Sequence, residues 1–219
     1  MRDRERHLEF IRTYWPPYLS RPLNEKFFAD IKSDFPFSTN PYKVYWLSQK
    51  PNVFLQGDVV IEIPISLWDA DENTYQTYYF PSAILSNTCD ISLANRRLEE
   101  ANTLVAAVFT VHDYVNELRE RRISQDRINS FLADLKANKI SNLFYLPLLK
   151  RDTKVILEES FVRFDLAASL PISIFDIYDG NYTPDGDRVI TLSNYGFYLF
   201  LFKLSIHFSR IREGVFRSA

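Results

Sequence analysis

Hydrophobic and polar positions alternate with a period of two from Gly57-Asp58 onward. Val59, Ile61 and Ile63 stand against Val60, Glu62 and Pro64, the pattern of a strand with one buried face. A polar excursion from Asp69 to Gln76 separates this run from a second strand, Phe80 to Asn87, which ends in a Ser-Asn-Thr-Cys-Asp corner at Ser86 to Asp90. Thr103 to Thr110 is a third apolar strand. An insertion over residues 113–139 follows. Asp113 is placed to cap a first helix bearing Tyr114, Val115 and Leu118, and Ser124 to cap a second. In the second helix Ile128, Phe131, Leu132 and Leu135 fall at i, i+3, i+4 and i+7, an amphipathic stripe that must pack on something.

Asn142 to Leu149 reads as a strand and Lys150 to Lys154 as a turn, with Phe161 to Leu166 and Ile172 to Tyr178 extended. Turn signals at Asp179-Gly180-Asn181 and Pro184-Asp185-Gly186 precede a long helix over 192–212, opened by Ser193 or Asn194. Its apolar residues, Leu199, Phe200, Phe202, Leu204, Ile206 and Phe208, occupy most of its circumference, so it should be deeply packed. Residues 1–50 read as a helical and aromatic extension. A charged helix over Arg2 to Arg12 is stopped by Trp15-Pro16-Pro17, a better helix covers Asn24 to Phe35, and Tyr42 to Trp46 alternates like a strand. The expected class is α+β, with the extension at 1–50 and one main domain over 51–219.

Composition sharpens this picture in two ways. With 18 Phe, 13 Tyr and 3 Trp but 5 Gly among 219 residues, the chain describes a stiff, aromatic-packed interior. The balance of 26 basic against 28 acidic side chains gives a net charge of -2, so no global field draws it to nucleic acid or an anionic membrane. Arg119, Arg121, Arg122, Arg127, Lys136 and Lys139 form the densest basic run, either a solvated helix face or a phosphate contact. A charged N-terminus without an apolar h-region, and apolar runs short of the ~20 residues needed to span a bilayer, point to a cytoplasmic protein without a membrane.

Few side chains carry candidate chemistry. Cys89, with Asp90 beside it, is a nucleophile if His112 or His207 comes within reach, and otherwise a small apolar filler. Asp90 suits binding the turn amides. Three His and one Cys, none at metal-ligand spacing, argue against zinc. Asp69, Asp71 and Glu72 lack the Gly and distal Glu of a calcium loop. No phosphate-loop or dinucleotide motif is present, so no cofactor and no metal is expected.

Gly57-Asp58-Val59-Val60, a loop, then Pro81-x-Ala83-Ile84-Leu85-Ser86-Asn87 resembles the opening of the PemK/MazF toxin endoribonucleases. Thr103 to Thr110 resembles that family's next strand, and Val155 to Leu170 a later strand and turn. The resemblance implies a small SH3-like antiparallel barrel, with residues 54–110 and 142–170 wrapping together. It also implies an active-site Thr at Thr110, with Ser86, Asn87 and Thr88 lining the groove. In that family an Arg precedes the Pro of the second strand and, with the Thr, positions the scissile phosphate for attack by the neighbouring 2'-hydroxyl. Here the position is Phe80. Loss of such a charge costs ~3 kcal/mol or more of transition-state stabilisation unless Arg96, Arg97 or Arg163 replaces it.

Three functions follow. The first is a binding module for RNA, DNA or a protein such as an antitoxin or defence-complex subunit, with catalysis lost. The second is a metal-independent endoribonuclease with a rebuilt site, and the third a Cys-dependent enzyme using Cys89. The resemblance also implies a prokaryotic toxin-antitoxin or phage-defence setting and a homodimer.

Overall fold

The computed structural model describes residues 25–26, 29–30, 39–48, 50–92, 95, 101–175 and 182–209. The expected helix over Arg2 to Arg12, most of that over Asn24 to Phe35, the loop at 179–181 and the helix end at 210–212 lie outside them. In chain order the elements are α1 (Pro41–Val44), β1 (Val59–Asp69), β2 (Thr74–Ile84), α2 (Thr88–Ile91), β3 (Asn102–Thr110), α3 (Val111–Glu120), α4 (Gln125–Lys136), β4 (Leu143–Leu146), β5 (Leu149–Arg151), β6 (Lys154–Leu157), β7 (Ser160–Pro171), a 3-10 turn (Ile172–Phe175), β8 (Arg188–Ile190) and α5 (Asn194–Ser209). The protein is α+β. A six-stranded antiparallel sheet runs in the order β4-β7-β3-β2-β1-β8, and β5 and β6 form a separate ribbon.

The barrel expected from the sequence is not closed. Among the described residues β4 and β8 are the sheet's two edges, and no ladder joins them. Bulges at Val60/Ile63, where Glu62 has φ 49, and at Ala106/Val108 curl the sheet until β1 approaches β7. On the inside of that curl Val60, Ile63, Ile84 and Val105 pack with Phe54, Phe175, Ala168 and Leu170. The reason for the opening is α5, whose side chains fill the space between the two edges. Phe200 stands edge-on to Phe144 of β4 at 5.3 Å and to Phe164 of β7 at 5.6 Å, in a cluster that also takes in Ile190 of β8.

Several local expectations change for identifiable reasons. Of residues 69–76, Asp69 ends β1 and Thr74 to Gln76 open β2. The turn spans only 70–73, with Asn73 at φ 51 and Asp69 Oδ1 accepting from the amides of Asp71 and Glu72. Residues 41–44 are a helical turn, because Asn40 caps it, accepting from the Tyr42 amide, and Pro41 opens it. The same segment is core. Tyr45 bridges Leu192 and its hydroxyl donates to the Pro147 carbonyl at 2.7 Å. Thr110, and not Asp113, caps α3. Ser124 precedes α4 as expected, with Ile128 and Leu135 buried under it. Gly196 lets α5 come down on Val44, since a Cβ there would meet the Val44 carbonyl oxygen at 2.2 Å.

Two buried ionic groups pin these parts together. Gly57, at φ +87 and with Leu192 pressed against it, turns the chain so that the buried Asp58 faces β8. Asp58 Oδ2 accepts from the Leu55 amide at 2.9 Å and lies 3.3 Å from Arg188 Nη1. Arg188 also donates to the carbonyls of Pro51 and Val53. Burial pushes the Asp58 carboxyl up to about 6, against the pull of the Leu55 amide, the nearby Thr191 hydroxyl and Arg188. Thr191 Oγ1 and Asp58 Oδ1 nevertheless lack normal hydrogen-bond geometry, which is why burial wins. On the other side, Lys203 of α5 is buried and donates to the carbonyls of Asn138 at 2.7 Å and Ile140 at 2.5 Å, holding the α4–β4 turn. Burial brings its ammonium down to about 7.

These two groups predict opposite pH slopes. Asp58 binds its proton more tightly folded than unfolded, so its contribution falls as pH rises from about 4 to about 6. Asp58→Asn should remove that component, about 3 kcal/mol at most, in urea melts taken across this range. Lys203 binds its proton less tightly folded than unfolded, so its contribution grows from about pH 7 towards pH 10. Lys203→Met should flatten the melting temperature over that interval, and an unchanged slope would contradict the burial of the ammonium.

Candidate binding surface

The site implied by the resemblance is built where β2, β3 and β7 run side by side. Ser82 pairs with Ala107, and two residues further on the Phe80 and Phe109 rings meet at 5.2 Å. Tyr78 lies 6.1 Å from Phe80 on one side, and Phe161 is stacked 6.1 Å from Phe109 on the other. Arg163 sits over this surface, its guanidinium carbon 5.7 Å from the Phe109 ring centroid. Asp165 holds it through two bonds, Nη2 to Oδ2 at 2.6 Å and Nε to Oδ1 at 3.4 Å, and Asn142 donates to the same carboxylate at 3.1 Å. The Asp165 bonds raise the Arg163 guanidinium above its already high value. The outcome is an aromatic surface carrying one cation that is already neutralised.

The other expected residues are spent on the backbone. Thr110 Oγ1 accepts from the Asp113 amide at 3.1 Å and donates to Asp113 Oδ2 at 2.6 Å, so its hydroxyl belongs to the first turn of α3. Ser86 Oγ accepts from the Leu104 amide, Thr88 Oγ1 from the Gln56 amide and Asn87 Oδ1 from the Cys89 amide, each at 2.8 to 3.0 Å. Cys89 and Asp90 are exposed on the single turn of α2, and the Cys89 carbonyl accepts from the Asn95 side chain. His112 is bonded to Asn116, and His207 packs between Phe164 and Phe208. Arg96 and Arg97 lie outside the described residues. Ser86 is fastened at Leu104 whereas Thr110 lies six residues along the same strand, about 20 Å at ~3.3 Å per residue. Cys89-Asp90 and Thr110 therefore do not converge on one substrate atom.

The basic run of the insertion is largely answered within the protein. Arg121 pairs with Glu117 at 2.5 Å, Lys136 with Glu159 at 2.7 Å and Lys139 with Asp134 at 3.4 Å, while Arg119 donates to Asn116. Among the described residues no three His, Cys, Asp or Glu side chains converge as metal ligands, and no helix is long and apolar enough to cross a membrane.

What the sequence pattern did not bring forward is the β1–β2 ribbon. β2 pairs with β3 only over Ser82–Ile84 and β1 with β8 only at Val59 and Val60, so the distal parts of both strands pair with each other alone. On one face the register aligns Pro64 with Tyr79, Ser66 with Thr77 and Trp68 with Tyr75. Trp68, Tyr75 and Tyr79 are 53, 69 and 67% exposed, and the first two meet edge-on at 5.2 Å. The signal was available as aromatics at cross-strand positions flanking a tight Asp-Ala-Asp-Glu-Asn turn.

Thr110→Ala should lower stability by about 1 kcal/mol through loss of the α3 cap, measured by chemical denaturation, whether or not the protein acts on RNA. No family model, no curated protein and no solved structure matches this chain.

Proposed function

We propose that this chain is a non-cleaving binding module of the PemK/MazF type. Its curled sheet is an opened relative of the SH3-like barrel, and it docks a protein partner along the exposed face of the β1–β2 ribbon. The observation that carries this reading is the row formed by Tyr79, Trp68 and Tyr75, three large aromatics in water on a projecting two-stranded arm. Residues of this kind dominate protein interfaces because they bury a large area with little rotamer entropy. The tip beside them carries Asp69, Asp71 and Glu72, which repel phosphates and suit a partner segment rich in Lys or Arg. Cleavage is disfavoured because Phe80 stands where the related toxins place an Arg, and Thr110 is committed to a helix cap. A toxin-antitoxin or phage-defence setting comes with the resemblance, and the partner is then the antitoxin-sized or defence-complex product of an adjacent gene.

One observation favours the endoribonuclease instead: Arg163 lies on the same aromatic surface as Phe80, one ring away. The two readings separate experimentally. The binding reading expects no cleavage of a mixed RNA ladder at micromolar protein over hours. It also expects the neighbouring gene product to bind with an affinity that drops at least ten-fold in Trp68→Ala/Tyr75→Ala, about 2 kcal/mol for a hot-spot aromatic. Metal-independent cleavage leaving cyclic-phosphate ends, abolished by Arg163→Ala, would replace it with the nuclease reading. A partner affinity unchanged in the double variant would remove the ribbon from the interface.

A further inference from the structure

A cleft of about 890 Å³ opens at the seam between the β5–β6 ribbon and the β8 edge of the sheet. One wall is the β5–β6 ribbon, the second is β8 with the loop before it, and the third is the segment from Tyr42 to Asn52. β6 lies beside β8 without pairing to it, and Ile156 of β6 faces Arg188 and Val189 of β8 across the cleft. The cleft volume is in the upper part of the ~300–1,000 Å³ range of small-molecule sites.

Positive charge gathers in this cleft from all three walls. Lys50, Lys150, Arg151 and Arg188 line it, each wall contributing at least one cation, together with Asp152 and Asp185. Arg188 is fixed in the wall by the Pro51 and Val53 carbonyls and is neutralised by Asp58. Among the described residues none of Lys50, Lys150 and Arg151 is in an ion pair, whereas Arg121, Lys136 and Lys139 of the insertion each have a carboxylate. Lys50 is half-buried, and burial together with repulsion from Arg188 and Arg151 draws its ammonium down. The carboxylate that opposes them is Asp58, which already answers Arg188. Against Asp58, Asp152 and Asp185 the four cations keep an excess of positive charge in a concave, partly desolvated place, and an anion that enters relieves it. Tyr42, Leu47 and Pro51 line the same cleft with flat apolar surface, against which a planar ring can lie.

We propose that this seam cleft binds a nucleotide, its phosphates held by Lys50, Lys150 and Arg151 and its base lodged along Tyr42, Leu47 and Pro51. Lys supplies point charges and Arg a planar fork, a combination suited to a di- or triphosphate chain. The site lies on β5, β6 and β8, away from the aromatic tip of the ribbon, so it is independent of the partner surface proposed above.

Calorimetric titration of the full chain with ATP, inorganic triphosphate and adenosine tests it, with circular dichroism confirming that each variant folds. ATP should bind, inorganic triphosphate should bind several-fold more weakly and adenosine should give no heat. Lys50→Ala/Arg151→Ala should weaken ATP at least ten-fold, as should raising the salt. Arg121→Ala, which removes a cation already paired with Glu117 of α3, should leave ATP binding unchanged, and so should Trp68→Ala/Tyr75→Ala. Absence of ATP binding at millimolar concentration, equal binding of adenosine, or equal weakening by Arg121→Ala would overturn the proposal. Triphosphate binding as tightly as ATP would overturn the role given to Tyr42, Leu47 and Pro51.

Discussion

A helix with almost no polar side has to be covered all round, and in this protein that requirement sets the form of the sheet. α5 presents Tyr195, Tyr198, Leu199, Phe200, Leu201, Phe202 and Ile206 to the interior, and no single face of a small sheet can take them all. The strands therefore curl around one cluster while leaving β4 and β8 apart, with the helix between them. Gly196 shows how tight the fit is, because any side chain there would strike the backbone at Val44. The helix also carries Lys203, an ammonium that reaches two turn carbonyls from inside the core. Its burial ties the α3–α4 insertion to the main body through hydrogen bonds that apolar packing alone could not orient.

The second fixed point is ionic. Asp58 and Arg188 are far apart in sequence, 3.3 Å apart in space and both nearly inaccessible to water. Such a pair is a weak source of net stability, since desolvating two charges offsets most of their attraction. Its effect is positional. Arg188 holds the carbonyls of Pro51 and Val53, so the approach to β1 is aligned on β8 by directional bonds. The same guanidinium then forms part of the seam wall, which is how a structural group comes to shape a cleft.

Charge is distributed to match these two surfaces. On the insertion, Arg121, Lys136 and Lys139 find carboxylates on the same or neighbouring elements. At the ribbon tip acidic side chains flank exposed aromatics. At the seam the cations outnumber the carboxylates, and all but Arg188 stand without ion pairs among the described residues. A nearly neutral chain can therefore carry regions of opposite sign, and net charge says little about which partners it takes.

Local pattern determined much of this structure. The strand opening at Val59, the apolar run at 103–110, the amphipathic stripe Ile128–Phe131–Leu132–Leu135 and the apolar C-terminal helix are all elements of the fold, but the alternation expected over Val59 to Ile63 breaks at the bulge, where Val60 is buried and Ile61 is exposed. The α+β class followed from them. Tertiary structure alone decided that the sheet stays open, that strand runs up to Asp69 and resumes at Thr74, and that Thr110 caps a helix. It also decided that Phe80 lies beside Phe109 and Arg163, and that Lys50 meets Arg151 and Arg188. Each of these depends on which distant segment arrives at a given place. Side-chain periodicity encodes that one face is buried, but it encodes neither where a bulge shifts that face, as at Val60 and Ile61, nor what buries it.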